Sequence, residues 1–181
     1  MPFSRLFKRR NDDAAANALY LALVEQSRQP VFYRDYGVAD TLEGRYDMII
    51  LHAYLLFRRL AADGNTALKE LSQQTFDFMF TDLDQNLREM GVTDMAIGKR
   101  VTRMAEAFYG RATAYDKVLD EPGRGLQEAL GRNLYQGQPV NPEVEDLMAA
   151  YVHDQRAHLA GLADADILAG KLSFLVPQAR G

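Results

Sequence analysis

A chain of 181 residues with 48% hydrophobic and 25% charged residues has the balance of a soluble globular protein, and its length allows one substantial core. It contains no cysteine, which excludes thiolate metal sites, thiol catalysis and disulfides. The formal charge of −4 is unevenly spread: MPFSRLFKRR contributes four cations and no acid, which leaves −8 on the remainder and argues against general or specific DNA binding.

Residues 1–12 read as a flexible basic lead. Phe3, Leu6 and Phe7 alternate there with Arg5, Lys8, Arg9 and Arg10, a composition that suits contact with an anionic lipid or ribosomal surface. The apolar stretch from Ala14 to Val24 follows Asn11, Asp12 and Asp13 and lacks a small-residue cleavage site, so no signal peptide is expected and the chain should stay in the cytoplasm. Residues 13–181 read as one helical domain. Asn11 to Asp13 cap a first helix that runs to a stop at Pro30. A loop with Tyr33, Tyr36 and Gly37 follows, and Asp40 or Thr41 caps a second helix ending at Gly64. Its run from Met48 to Phe57 is too short to cross a bilayer and reads as a buried helix.

Thr66 opens a third helix in which Leu68, Leu71, Phe76, Met79, Phe80, Leu83, Leu87 and Met90 recur at steps of mainly three and four, making one apolar face. Gly91 is placed for the left-handed residue that ends it, and Thr93 or Asp94 caps the next helix, with Ile97, Val101, Met104, Phe108, Tyr115 and Val118 on its inner face. The short connection predicts an antiparallel hairpin. GLQEALGRNLY is a weaker segment; Asn141, Pro142 and Glu143 form a clear helix start; ADADILAG and LSFLVP close the chain. No segment alternates as a strand does. The expectation is an all-α irregular or orthogonal bundle of about seven helices.

DLDQNLREMGVTDMAIGK, from Asp82 to Lys99, is rich enough in carboxylates to raise the question of a metal loop. As a calcium loop it fails twice, with Leu87 where glycine is needed and Thr93 where a bidentate glutamate is needed. On a helix Asp82 and Asp84 also point about 200° apart, so they cannot share a metal or a proton. Asp84 and Arg88, four apart, read instead as a surface pair. His153 and His158 are five apart and share no helix face, and His52 in the apolar helix reads as a hydrogen-bonded core residue. No phosphate loop, dinucleotide fingerprint or serine elbow occurs. The expectation is a non-enzyme with no catalytic residue, metal or cofactor.

What remains is mixed charge around the hairpin turn. Asp82, Asp84, Arg88 and Glu89 precede Gly91; Asp94, Lys99, Arg100 and Arg103 follow it; Phe108, Tyr109, Gly110 and Arg111 lie further on. Such a ridge suits protein recognition, and Gly110 in a helix interior, at about 1 kcal/mol relative to alanine, implies a kink or close approach of another backbone. The stretch from Asp82 to Arg111 resembles the signature of the ubiquinol–cytochrome c chaperone family, in which D-x-D, L-R-E-x-G-V, an aspartate, a lysine and F-Y-G-R recur in this order. Weaker likeness extends from about Ala15 to about Leu162.

The resemblance implies a chaperone that binds newly made cytochrome b and assists assembly of the ubiquinol–cytochrome c reductase complex. The absence of a long Arg- and Ser-rich presequence makes the chain similar to a bacterial member. Its place would then be cytoplasmic, and peripheral on the inner face of the cytoplasmic membrane if the basic lead binds there. The expected partner-binding residues are Asp82, Asp84, Arg88, Glu89, Asp94, Lys99, Tyr109 and Arg111, arranged around an apolar groove, with Gly91 and Gly110 shaping the backbone and methionines 79, 90, 95 and 104 adapting to client segments. The competing expectation is a small-molecule or haem-binding protein, or an enzyme, with a pocket near Phe32–Tyr36.

Overall fold

The computed structural model describes residues 3–62 and 64–179, with side chains from residue 14 onward. Among the described residues there are eight helices and no strand: α1 (Phe3–Ser27), α2 (Pro30–Arg34), α3 (Leu42–Ala61), α4 (Thr66–Glu89), α5 (Asp94–Asp116), α6 (Gly125–Asn133), α7 (Pro142–Ala160) and α8 (Asp164–Leu168). The eighth, relative to expectation, is α2. Pro30 ends the preceding helix, yet its fixed φ also makes it a good first residue of a helix, and α2 starts on it. α1 starts at Phe3, upstream of the expected cap at Asn11–Asp13. The side chains of Arg5, Lys8, Arg9 and Arg10 lie outside the described residues.

α3 organises the rest. Every residue from Ile50 to Leu56 is buried, as befits a helix that is apolar on all sides and surrounded by α1, α4, α5 and α7. One side of it, with Met48, Leu51, Tyr54 and Leu55, packs on Phe32, Leu130, Met148 and Val152; the other, with Ile50, Ala53, Leu56 and Leu60, packs on Leu19, Leu23, Leu68, Leu71 and Phe108. Each such aliphatic side chain contributes about 1.5–3 kcal/mol by leaving water. Thr41 caps α3 by accepting from the Gly44 amide at 3.1 Å, and Gly44 is needed because a Cβ there would stand 2.0 Å from the Ala39 carbonyl oxygen.

The hairpin joining α4 to α5 is stopped as the sequence implies. Gly91 takes φ +79°, its amide donates to the Arg88 carbonyl at 2.9 Å, and the Val92 amide reaches back to Leu87 at 3.1 Å. These two bonds are a Schellman closure, which satisfies carbonyls the helix end would otherwise leave open. At the other end of the chain, the extended segment after α8 lies over both cores through Leu172 and Phe174. Gln155 grips its backbone twice at Leu175, at 2.7 and 3.0 Å, and Gln26 of α1 donates to the same Leu175 carbonyl at 2.8 Å.

Candidate functional site

At the hairpin the charges pair with one another. Arg88 donates to Asp84 at 2.7 Å along α4 and, across the turn, to Asp94 at the start of α5. Glu89 accepts from Gln85 at 2.9 Å, and Lys99 is exposed. Asp82 faces away from this cluster, toward α1, where it accepts from the Tyr20 hydroxyl at 2.6 Å and from Asn86 at 2.8 Å. Burial first, and then this hydrogen bond, push the Tyr20 hydroxyl pKa well up. The opposed directions of Asp82 and Asp84 are those of a helix, and no group of three metal-ligating side chains occurs among the described residues.

Beside the hairpin an apolar groove runs between α3, α4 and α5. One depression of about 410 Å³ is lined by Tyr54, Phe57, Phe108, Tyr109 and Ala112. A second of about 210 Å³ adds Leu60 and Phe76 and shares Phe57, Ala61, Phe108 and Tyr109 with the first. The rings form a connected set, with centroids 5.7 Å apart for Phe76–Phe108, 5.8 Å for Phe57–Phe108 and 5.9 Å for Phe76–Tyr109. Tyr109 stands at the surface of this set, 59% exposed. Charge lies at both margins: Arg58 bridges Asp116 and Asp120 on one side, and Lys69 lines the other. Of the four methionines expected near a client, Met90 and Met95 are exposed, Met104 is half-buried, and Met79 belongs to the core.

Two expectations about this region change. Gly110 does not allow close packing: it is exposed, and a Cβ there would meet nothing within 4 Å. Arg111 is not on the outer surface with Tyr109. It turns inward, with its guanidinium on the Asp47 carboxylate at 2.7 Å and on the Asn133 carbonyl at 3.2 Å. Asp47 has a side chain only 2% exposed, and Gln136, in the left-handed region at φ 54°, donates to its second oxygen at 3.2 Å. Burial lifts the Asp47 carboxyl above the usual range, and Arg111 and Gln136 pull it partly back. The signal for this tie is Asp47 itself, a lone acid inside YDMIILHAYLLF, which must find a partner if the helix is buried.

The pocket near Phe32–Tyr36 is a surface cleft of about 450 Å³ lined by Pro30, Tyr33 and Arg34, not a space beneath the rings. Phe32 and Tyr36 are 0% and 1% exposed and pack edge-on against Tyr151, so only Tyr33 faces a surface cleft. Beneath them lies a polar thread that sequence patterning did not mark beyond His52. His52 Nδ1 is 2.8 Å from the Met48 carbonyl and Nε2 is 2.7 Å from the Tyr151 hydroxyl, which also accepts from Gln26 at 2.8 Å. Complete burial lowers the His52 pKa from 6.5 to about 4, so the ring is neutral, with Nδ1 protonated toward the carbonyl. Burial holds the Tyr151 hydroxyl beside it protonated as well, and the set is a core hydrogen-bond network.

The ubiquinol-cytochrome C chaperone family model matches residues 34–174, a span that contains α3 to α8, the groove and the Arg111 tie. The chain belongs to this family. It is 27% identical over 154 residues to ubiquinol-cytochrome c reductase complex assembly factor 1 of Mus musculus, covering 85% of this chain and 52% of that protein. It is also 26% identical over 149 residues to the mitochondrial protein CBP3 of Saccharomyces cerevisiae, covering 81% of this chain and 44% of the yeast protein. The chain thus spans about half the length of the curated relatives it matches. The crystal structure of the Cbp3 homolog from Brucella abortus superposes with a TM-score of 0.83 at 34% identity, covering 96% of this chain and 97% of that one. The family is one of chaperones and assembly factors, and a bacterial homologue shares the whole of this fold.

Proposed function

We propose that this chain is a non-enzymatic assembly factor for the ubiquinol–cytochrome c reductase complex that holds newly made cytochrome b before the complex forms. The observation that carries this reading is the family match over residues 34–174, together with relatives named as assembly factors of that complex. The groove between α3, α4 and α5 is the natural place for an apolar client segment. Its aromatic rings supply rigid apolar area, and Tyr109 adds a hydroxyl at the edge. Asp84, Arg88, Glu89, Asp94 and Lys99 then form a charged shoulder beside the client, while Asp82 ties α4 to α1 through Tyr20 and Arg111 holds α5 in place. The open surface at Gly110, where the fold itself needs no glycine, lets a partner backbone come close to α5.

The place of action in this reading is the cytoplasm, at the inner face of the membrane where cytochrome b is inserted, with Arg5, Lys8, Arg9 and Arg10 toward the lipid or ribosomal surface. No described helix is long and apolar enough to cross a membrane. The test is the amount of haem-bearing cytochrome b in membranes of the native host with and without the gene. Selective loss, restored by the parent protein and not by a folded Tyr109→Asp variant, is the expected result. Normal cytochrome b in the deletion strain overturns the function, and full rescue by Tyr109→Asp overturns the groove.

A further inference from the structure

A second pocket shares no lining residue with the aromatic groove. It holds about 300 Å³ between α1, α3, α4 and α5, and is walled mainly by apolar groups, among them Tyr46, Ile49, Leu83, Leu87 and Met104. Its mouth carries Leu42 and Met90, 59% and 58% exposed, apolar groups that nothing among the described residues covers. Beside it is a cleft of about 450 Å³ with Arg28, Arg34, Asp40 and Arg45 in its walls. Arg28 and Arg45 line both spaces.

We infer that pocket and cleft form one binding site for a single-chain amphiphile with an anionic head, the chain in the pocket and the head on Arg28 and Arg45. The charge argument is local. Arg28 has no carboxylate partner among the described residues. Arg45 gives its Nε to Asp40 at 2.7 Å and lies over the Tyr33 ring at 5.6 Å, with its terminal nitrogens making no hydrogen bond among the described residues. Asp82, the acid on the pocket wall, has its carboxylate engaged by Tyr20 and Asn86. Arg34 is paired with Asp35, so Arg28 and Arg45 against Asp40 leave one positive charge in the cleft, on a chain of formal charge −4.

The pocket is at the lower end of small-molecule sites, with room for one flexible acyl chain, and thioethers at Met90 and Met104 adapt to its length. A guanidinium held next to apolar walls binds carboxylate or phosphate more strongly than one in open water. The site is independent of the assembly reading and can fail without it.

The experiment uses the full chain labelled at its methionine methyl groups and titrated with decanoate, decanol and decyltrimethylammonium, each below its micellar concentration. The expected result is saturable one-to-one binding of decanoate that moves the Met90 and Met104 methyl resonances and leaves Met148 in place. Arg28→Glu, at an exposed position, should weaken decanoate at least tenfold and leave decanol unchanged; Arg45→Gln gives a second, milder variant. Absence of saturable shifts, equal affinity for the cationic probe, or indifference to both arginine variants overturns the proposal. So does flotation with phosphatidylglycerol vesicles, but not phosphatidylcholine vesicles, that leaves both methyl resonances unmoved, since recognition would then be of a membrane surface and not of a chain in the pocket.

Discussion

The hairpin turn and the far end of α5 use the same residue types in opposite ways. Around the turn, Arg88 and Asp94 are exposed and Asp84 half-buried, and they pair with near neighbours in the chain. Five residues before the end of α5, Arg111 reaches a carboxylate on α3 that is almost fully buried, and the carbonyl of the last residue of α6. Tyr109, two residues away in the same short motif, points outward. Burial therefore divides one motif into a recognition half and a structural half, and the two halves should respond differently to mutation.

The largest effect should come from Arg111→Ala. It leaves Asp47 buried beside Gln136 alone, and breaking a buried pair costs about 3–5 kcal/mol, read as a fall in the urea midpoint. Arg111→Leu combined with Asp47→Leu should recover much of that loss, since no charge is then stranded. Parent-like stability of Arg111→Ala would place Arg111 with the recognition half and erase the division.

A similar loss belongs to pH. The unfolded chain takes up a proton at His52 near pH 6.5, while the folded protein resists it down to about 4. Stability from this group is therefore complete above pH 6.5, declines as pH falls toward 4, and is then lost; the total is about 3 kcal/mol. His52→Gln should remove that part of the pH dependence. An unchanged slope between pH 6.5 and 4 in the variant would assign the acid sensitivity elsewhere.

Smaller and of opposite sign is Gly110→Ala. With open space around the position, it should raise stability by about 1 kcal/mol through helix propensity alone. If capture of cytochrome b falls while stability rises, the glycine serves a partner; destabilisation instead would mean that α5 packs more tightly there than the structure has it. Smallest is Arg88→Ala, whose urea midpoint should match the parent because its pairs are exposed and screened. A clear drop would make the hairpin cluster structural after all.

Much of the fold was legible in local chemistry. Gly91 ends α4 in the left-handed conformation, Thr41, one of two residues expected to cap α3, does so, Asn141 caps α7 as expected, and the apolar periodicity of α4 and α5 marks the faces that meet the core. The candidate site was legible only in part. The hairpin charges could be read because their partners are close in sequence, and Tyr109 because it lies in a recognisable motif. The groove it borders could not, since Phe57 and Phe76 come from helices whose relative placement no periodicity specifies. Arg111 was placed outside for the same reason.

By itself, then, the sequence determined that the elements are helices, where α3, α4 and α7 begin and α4 ends, and which residues share a face, because caps, glycine conformations and the 3.6-residue period act within a few residues. Only the tertiary structure decided which face meets which. It set Arg111 on Asp47, His52 under Tyr151, the C-terminal segment in the grip of Gln26 and Gln155, and four helices around the pocket at Arg28 and Arg45. Those pairings join residues far apart in the chain, and the physical reason they escape the sequence is that many arrangements of the same amphipathic helices bury the same apolar stripes. The unique one is selected by the few buried polar groups that must find partners.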